Sequence, residues 1–189
     1  AATGLWVSDP AVELEFPLRD GVYVVGQGGN NPLVNYHNVH PEQRYALDIL
    51  AVDAWGRRAA GWSPADLDRY VIYGQPLYSP CDGVVVRAVN DLPDLAPPDA
   101  DREHPAGNHV VIRCQGVDVV LAHMQQGSVS VREGDAVKAG DRIGAVGNSG
   151  NTTEPHLHIH AVATTLDRVP GDATEATASG AGVPIRFDG

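Results

Sequence analysis

From residue 76 to residue 163 the chain is a succession of short apolar runs, each closed by Gly, Pro, Asp or Asn. This pattern constrains the fold more than any other feature. PLYSPCDGVVVRAV, GNHVVIRC, VDVVLAHM, SVSVREGDAVKAGDRIGAVG and HLHIHAV follow one another, with one long interruption, DLPDLAPPDADREHPAG. Such runs, rich in Val and bounded by turn residues, are strands. The 21 Gly and 14 Pro are scattered without period, so the chain turns too often for a helical bundle. An all-β domain is expected, mostly antiparallel and arranged as a sheet or sandwich. The interruption at 91–107 is too polar and too Pro-rich to join a sheet core, and is expected as a surface insertion walling a groove.

Residues 1–20 read as an arm with a short alternating segment, VELEF, and residues 21–36 as strands broken by a Gly/Asn turn. YALDIL reads as a strand with Tyr45, Leu47 and Ile49 on one face and Ala46, Asp48 and Leu50 on the other. One helix signal stands between: Ser63 suits an N-cap, Pro64 the first helical position and Asp66 the first turn. Beyond 165 an Ala/Thr/Gly spacer leads to GVPIRFDG, expected as a last strand. No linker is long enough to divide two domains, so one domain is expected over 21–189, preceded by the arm at 1–20.

Charge narrows the partners. Thirteen Lys and Arg against 24 Asp and Glu leave a formal charge of −11. A groove that follows phosphates needs the opposite sign, which argues against nucleic acid and against an anionic lipid surface. No apolar run approaches the roughly 20 residues that cross a bilayer, so membrane insertion is not expected. The two cysteines, Cys81 and Cys114, lie on apparent strands flanking one loop. Antiparallel pairing around that loop would set the thiols opposite one another, within reach of a disulfide; a bridge would imply an oxidising compartment. The alternative is two unrelated buried thiols.

Eight histidines are present, and their placement is informative. Alternation puts His156, His158 and His160 on one strand face. Same-face neighbours are roughly 6.6 Å apart along a strand, so one can bind a metal while its neighbour lies near the metal's water, but all three cannot share one ion. Asp48, flanked by apolar residues, needs a counter-charge or hydrogen bonds if buried, which a divalent cation or backbone N–H groups would supply. His123 ends the VVLAHM strand, where a single His is more often structural. His37 and His40 precede Asp48; His104, in the polar loop, and His109, alternating outward, read as incidental.

Taken in order, Asp48, DGVV at 82–85, LAHM at 121–124, VREGDAVKAGDRIGAVGNSG at 131–150 and PHLH at 155–158 resemble the lysostaphin-type, LytM-like metallopeptidases. The resemblance covers residues 21–165. It implies a β-hammerhead element, one zinc per chain in a surface groove, and an extracytoplasmic endopeptidase acting on peptidoglycan peptides. By position, Asp48 and His158 would be zinc ligands, and His123 and His156 the catalytic histidines. The first ligand departs from the pattern: Arg44 occupies the position, four before the Asp, where this family has His. His37 or His40 must substitute, and Asn35-Tyr36-His37 ahead of QRYALD resembles a branch that uses the first of the two. His160 stands where the family is often acidic, and no role follows for it. The hammerhead alone also resembles biotinyl and lipoyl carriers, but those present a modifiable Lys in a tight turn and lack HxH, whereas Lys138 lies within the hammerhead. A rival within the family is a non-catalytic relative that binds wall or activates another hydrolase. Such relatives lose site residues, and this chain keeps candidates at all five positions.

Overall fold

The computed structural model describes residues 11–164 and 180–188; the expected spacer at 165–179 lies outside the described residues. In chain order the strands are β1 (Val12–Glu15), β2 (Val22–Gln27), β3 (Leu47–Val52), β4 (Pro76–Tyr78), β5 (Gly83–Val89) and β6 (Asn108–Cys114), then β7 (Val117–Met124), β8 (Ala136–Val137), β9 (Arg142–Ala145), β10 (Leu157–Ala163), β11 (Gly182–Val183) and β12 (Ile185–Asp188). Helical structure among the described residues is confined to three short 3-10 turns. The fold is all-β, as the turn-punctuated runs require.

The main sheet is antiparallel, in the order β2-β3-β10-β7-β6-β5-β8, with β11 beside β10. Two small sheets flank it, antiparallel β4-β9 and parallel β1-β12. The β6-β7 hairpin turns on Gln115 and Gly116, both left-handed (φ 48° and 86°), the backbone a two-residue hairpin needs to match strand twist. Val110 and Ile112 of β6, Val119 and Leu121 of β7, and Leu157 and Ile159 of β10 are at most 1% exposed and form the main core. Val12 and Leu14 of β1, Leu77 of β4 and Ile143 of β9 complete it. The opposite face of the central strands holds a smaller apolar patch, Val111, Val120 and Ala122, and the histidines. Because both faces are covered, β6, β7 and β10 are buried almost throughout.

Four details differ in position from the sequence expectations or refine them. The helix signal at Ser63–Asp66 yields only a 3-10 turn, Leu67–Arg69, capped by Asp66, whose side chain accepts from Asp68 N at 3.2 Å. Backbone bonds Ala60 N to Arg69 O and Val71 N to Arg58 O close this segment into a reversal too tight for a helix. Cys81 and Cys114 do form a disulfide, with Cα atoms 6.2 Å apart. They are not directly opposed: Val84 faces Arg113 and Val85 faces Ile112, and Cys81 lies in the turn before β5, so the bridge ties that turn to the end of β6. His109 does face away from the main core, but it is 4% exposed, because that face of the sheet is itself covered. The 91–107 loop stays outside the main sheet and is pinned to the 147–151 turn by Leu95 N to Asn148 O, Asn148 Nδ2 to Leu95 O, Asp101 N to Gly150 O and Asn151 N to Pro105 O.

Candidate metal centre

Asp48 and His158 are brought together by strand register. β3 and β10 pair antiparallel with Asp48 directly opposite His158, and both side chains leave the sheet on the face away from the core. Cross-strand neighbours on one face approach within about 5 Å at Cβ, so no loop is needed to hold this pair. His158 Nδ1 lies 2.8 Å from Asp48 Oδ1. His156, just before β10, shares the face of His158, and its Nε2 is 3.5 Å from the same carboxylate oxygen.

His37 arrives from a loop that Asn35 shapes. The buried Asn35 side chain accepts from His37 N at 3.1 Å, and its Nδ2 points among the carbonyls of Gly29, Arg44 and Ala46. The resulting 3-10 turn, Tyr36–Val39, buries His37 with Nε2 3.1 Å from both Asp48 oxygens. His40 is exposed, on the far side of the turn. Tyr36 adds a phenol that donates to Asp48 Oδ2 at 3.2 Å.

His123 reaches the site through a bulge. Asn108 pairs with Met124 but Val110 with Leu121, so two residues of β7 face one of β6. Strict alternation would send His123 to the core with Val119 and Leu121. A left-handed backbone at His123 (φ 59°) reverses it, leaving Met124 in the core instead. A non-glycine residue in this region is uncommon, and such outliers gather at functional sites. The ring ends 4.7 Å from that of His156 and 5.8 Å from that of His158, centroid to centroid.

Both flanking imidazoles are oriented through Nδ1. His123 Nδ1 donates to Ser149 O at 2.9 Å, and His156 Nδ1 donates to Glu154 O at 2.9 Å beside the Thr152 hydroxyl. The Ser149 carbonyl is placed by a close backbone approach: a Cβ on Gly107 (φ 57°) would strike Ser149, and one on Gly150 (φ 87°) would strike Gly107. Each ring therefore turns Nε2 toward the carboxylate side, and His156 Nε2 is buried with no hydrogen-bond partner.

The electrostatics follow. Burial alone would raise the Asp48 carboxyl, but the surrounding imidazoles of His156, His158 and His37 outweigh it and hold the group well below the usual carboxylate range. Burial, then the charges of His156 and His158, pushes His123 well below 6.5. His156 goes the other way: burial lowers it, and its interaction with Asp48 more than compensates. Burial lowers His158 despite Asp48.

Two triplets of buried donors lie close enough to hold a metal ion, His37–Asp48–His158 and His123–His156–His158, the ligand atoms of each within 4.8 Å of one another. An anionic carboxylate hemmed in by imidazole nitrogens, with one buried ring nitrogen left unpaired, fits a divalent cation. Two imidazoles and one carboxylate, with a fourth position left to solvent, is a set that zinc adopts in catalytic sites. Leu50 and Val52 continue the face of Asp48 along β3, and with Arg58 and the 92% exposed Trp62 they line an open depression beside the site. Arg58 is itself ion-paired with Glu154.

The structure thus brings His37, Asp48, His123, His156 and His158 into one cluster and leaves out His40 and His104. Tyr36, Ser149 and Thr152 were not singled out in the sequence. Their contributions are one phenol, one backbone carbonyl and one hydroxyl, none of which carries a spacing signal.

A β-sheet with a buried His/Asp cluster on the face away from its main core defines a candidate metal centre. The model of peptidase family M23 matches residues 67–169, more than half of the chain, and the chain belongs to that family. The lysostaphin-type resemblance drawn from the motifs is borne out. Peptidoglycan DD-endopeptidase ShyA of Vibrio cholerae is 37% identical over 90 residues, 47% of this chain and 18% of that protein. ShyB of the same organism, also a peptidoglycan DD-endopeptidase, is 32% identical over 104 residues, 54% of this chain and 20% of that protein. The chain therefore spans about a fifth of the length of these curated relatives. Among solved structures, the catalytic domain of lysostaphin from Staphylococcus simulans superposes with a TM-score of 0.45 at 18% identity, over 78% of this chain and 84% of that one.

Proposed function

We propose that the chain is a zinc-dependent endopeptidase that hydrolyses peptide bonds in the stem peptides or cross-bridges of peptidoglycan, outside the cytoplasm. The observation that carries this reading is the convergence on Asp48 of imidazoles from separate segments, His37 from a loop and His156 and His158 at β10, with His123 beside them. His37, Asp48 and His158 would hold one zinc. When bound there, zinc supplies Lewis acidity, polarising the scissile carbonyl and making water a better nucleophile near neutral pH.

The remaining work falls to the two flanking imidazoles. His123 is neutral, and its proton is held on Nδ1 by Ser149 O, so Nε2 presents a lone pair that can accept the proton of attacking water. His156 is drawn toward its protonated form by Asp48 and turns Nε2 toward the same space, where as an acid it can stabilise the oxyanion and protonate the leaving amine. Two like groups pushed apart in proton affinity divide the acid and base roles between them. The depression along Leu50, Val52 and Trp62, which starts two residues along β3 from Asp48, offers a peptide a place to lie. The peptidase unit in this reading spans 21–189, its motif-bearing part 21–165, with 1–20 as an arm whose Val12–Glu15 strand lies beside β12. The disulfide and the peptidoglycan relatives support the extracytoplasmic location.

Incubating zinc-loaded protein with purified peptidoglycan and identifying released termini by mass spectrometry tests the reading. New peptide amino termini are expected, and none after chelation. Zinc-loaded protein that binds wall but releases nothing would replace this reading with that of a non-catalytic relative.

A further inference from the structure

His160 takes no part in the chemistry above, yet it is 5% exposed and directly against a proposed ligand. We propose that His160 is a positioning residue of the metal centre: its Nδ1 accepts the Nε2 proton of His158, fixing the tautomer that leaves His158 Nδ1 to the metal. This rests on the metal-centre reading above.

The two nitrogens of His158 have different neighbours. Nδ1 is 2.8 Å from Asp48 Oδ1, on the side where the donor atoms converge, and Nε2 is 2.9 Å from His160 Nδ1. A neutral imidazole carries one proton, and the nitrogen that bears it cannot bind a metal. With Nδ1 as ligand, the proton sits on Nε2, and the atom beside it must be an acceptor. His160 Nδ1 is that atom, with the proton of His160 then on its own Nε2.

Strand geometry makes the contact. His158 and His160 are two apart on β10, on one face, and their rings meet edge-on at 71° with centroids 5.1 Å apart, which suits an in-plane N–H···N bond. On the β7 side the neighbours on this face are Ala122 opposite His158 and Val120 opposite His160, neither of which offers a side-chain acceptor, and on the β3 side Asp48 meets Nδ1 rather than Nε2. Without His160, the His158 Nε2–H would be buried unsatisfied, or the proton would move to Nδ1, donate to Asp48 and compete with the metal. Outer partners of this kind typically carry 10–100-fold of metal affinity.

The test measures zinc dissociation constants by competition with a chromogenic chelator for the wild type, His160→Phe and His160→Asn, each checked for folding in the metal-free form by near-UV circular dichroism. His160→Phe keeps a ring but no acceptor, and should lose roughly 10–100-fold in affinity. His160→Asn places Oδ1 near the former Nδ1 and should recover most of it. Nitrogen NMR of histidine-labelled, zinc-loaded wild type should show His158 protonated at Nε2, a readout that needs no variant to fold. His160→Phe binding zinc as tightly as the wild type, equal losses in Phe and Asn, or an unprotonated His158 Nε2 would each overturn the proposal. Wild type that binds no zinc at all would instead overturn the metal-centre reading itself.

Discussion

At the scale of single residues, Asp48 is the pivot: a carboxylate in an apolar strand, tolerable only because imidazoles and a phenol surround it. Burial favours its neutral form, and the surrounding imidazoles overcome that preference, so the carboxylate stays ionised inside the fold. Side chains that touch Asp48 and those that stand beside it should fail differently. Asp48→Ala, His158→Ala and His37→Ala should abolish stoichiometric zinc, whereas His40→Ala, at an exposed position, should change neither metal nor rate. His123→Ala and His156→Ala should keep most of the zinc and lose about 10²–10⁴-fold in hydrolysis, the range typical of a positioned acid or base. Zinc analysis and peptidoglycan turnover on the same preparations check both halves. A His123, His156 double variant that still turns over near the wild-type rate contradicts the assignment.

At the scale of elements, the β6-β7 hairpin carries two opposed features. Its turn end holds the disulfide to Cys81, and its open end holds the bulge that delivers His123. The two ends are about 20 Å apart by strand rise. The bridge closes a segment of 33 residues that includes the 91–107 loop, and restricting the unfolded chain in this way is worth about 2–4 kcal/mol. Cys81→Ser with Cys114→Ser should therefore lower unfolding stability by about 2–4 kcal/mol in urea while leaving zinc affinity unchanged. Thiol titration of denatured, unreduced wild type should find no free thiol. Loss of zinc affinity in the serine double variant would show that strain from this end reaches the site.

At the scale of the whole molecule, the buried histidines make the metal-free fold acid-sensitive. Burial sets His109, His123, His158 and His160 below the ordinary 6.5. For each, the unfolded chain takes up its proton first as pH falls, so the stability present above 6.5 is lost as pH drops through the folded value. His156 has the opposite sign: raised in the fold, its contribution is complete below 6.5 and lost as pH rises through its folded value. Asp48 adds a loss in the same direction as the four, but only below its ordinary 3.8. Four against one decides the net. Chelated protein should unfold at lower urea at about pH 5.5 than at about pH 7.5. An equal or higher midpoint at the acid pH contradicts this account.

Strand identity, the HxH face and the oddness of Asp48 were legible in the sequence, because alternation and polarity are local properties that one strand carries by itself. LDIL and HLHIH placed Asp48, His156 and His158 on particular faces before any partner was known. What the local pattern lacked was register and backbone irregularity. Only pairing of β3 with β10 sets Asp48 opposite His158, only the Asn35-shaped loop buries His37 while exposing His40, and only a bulge turns His123 out of the core. The contact of His160 with His158, by contrast, follows from alternation along β10 alone. The burial of His109 depends on what covers the second face of the sheet, and the offset of the disulfide on a register that two separate strands share. Such features are decided by contacts between distant segments, whose energies no single stretch of sequence contains.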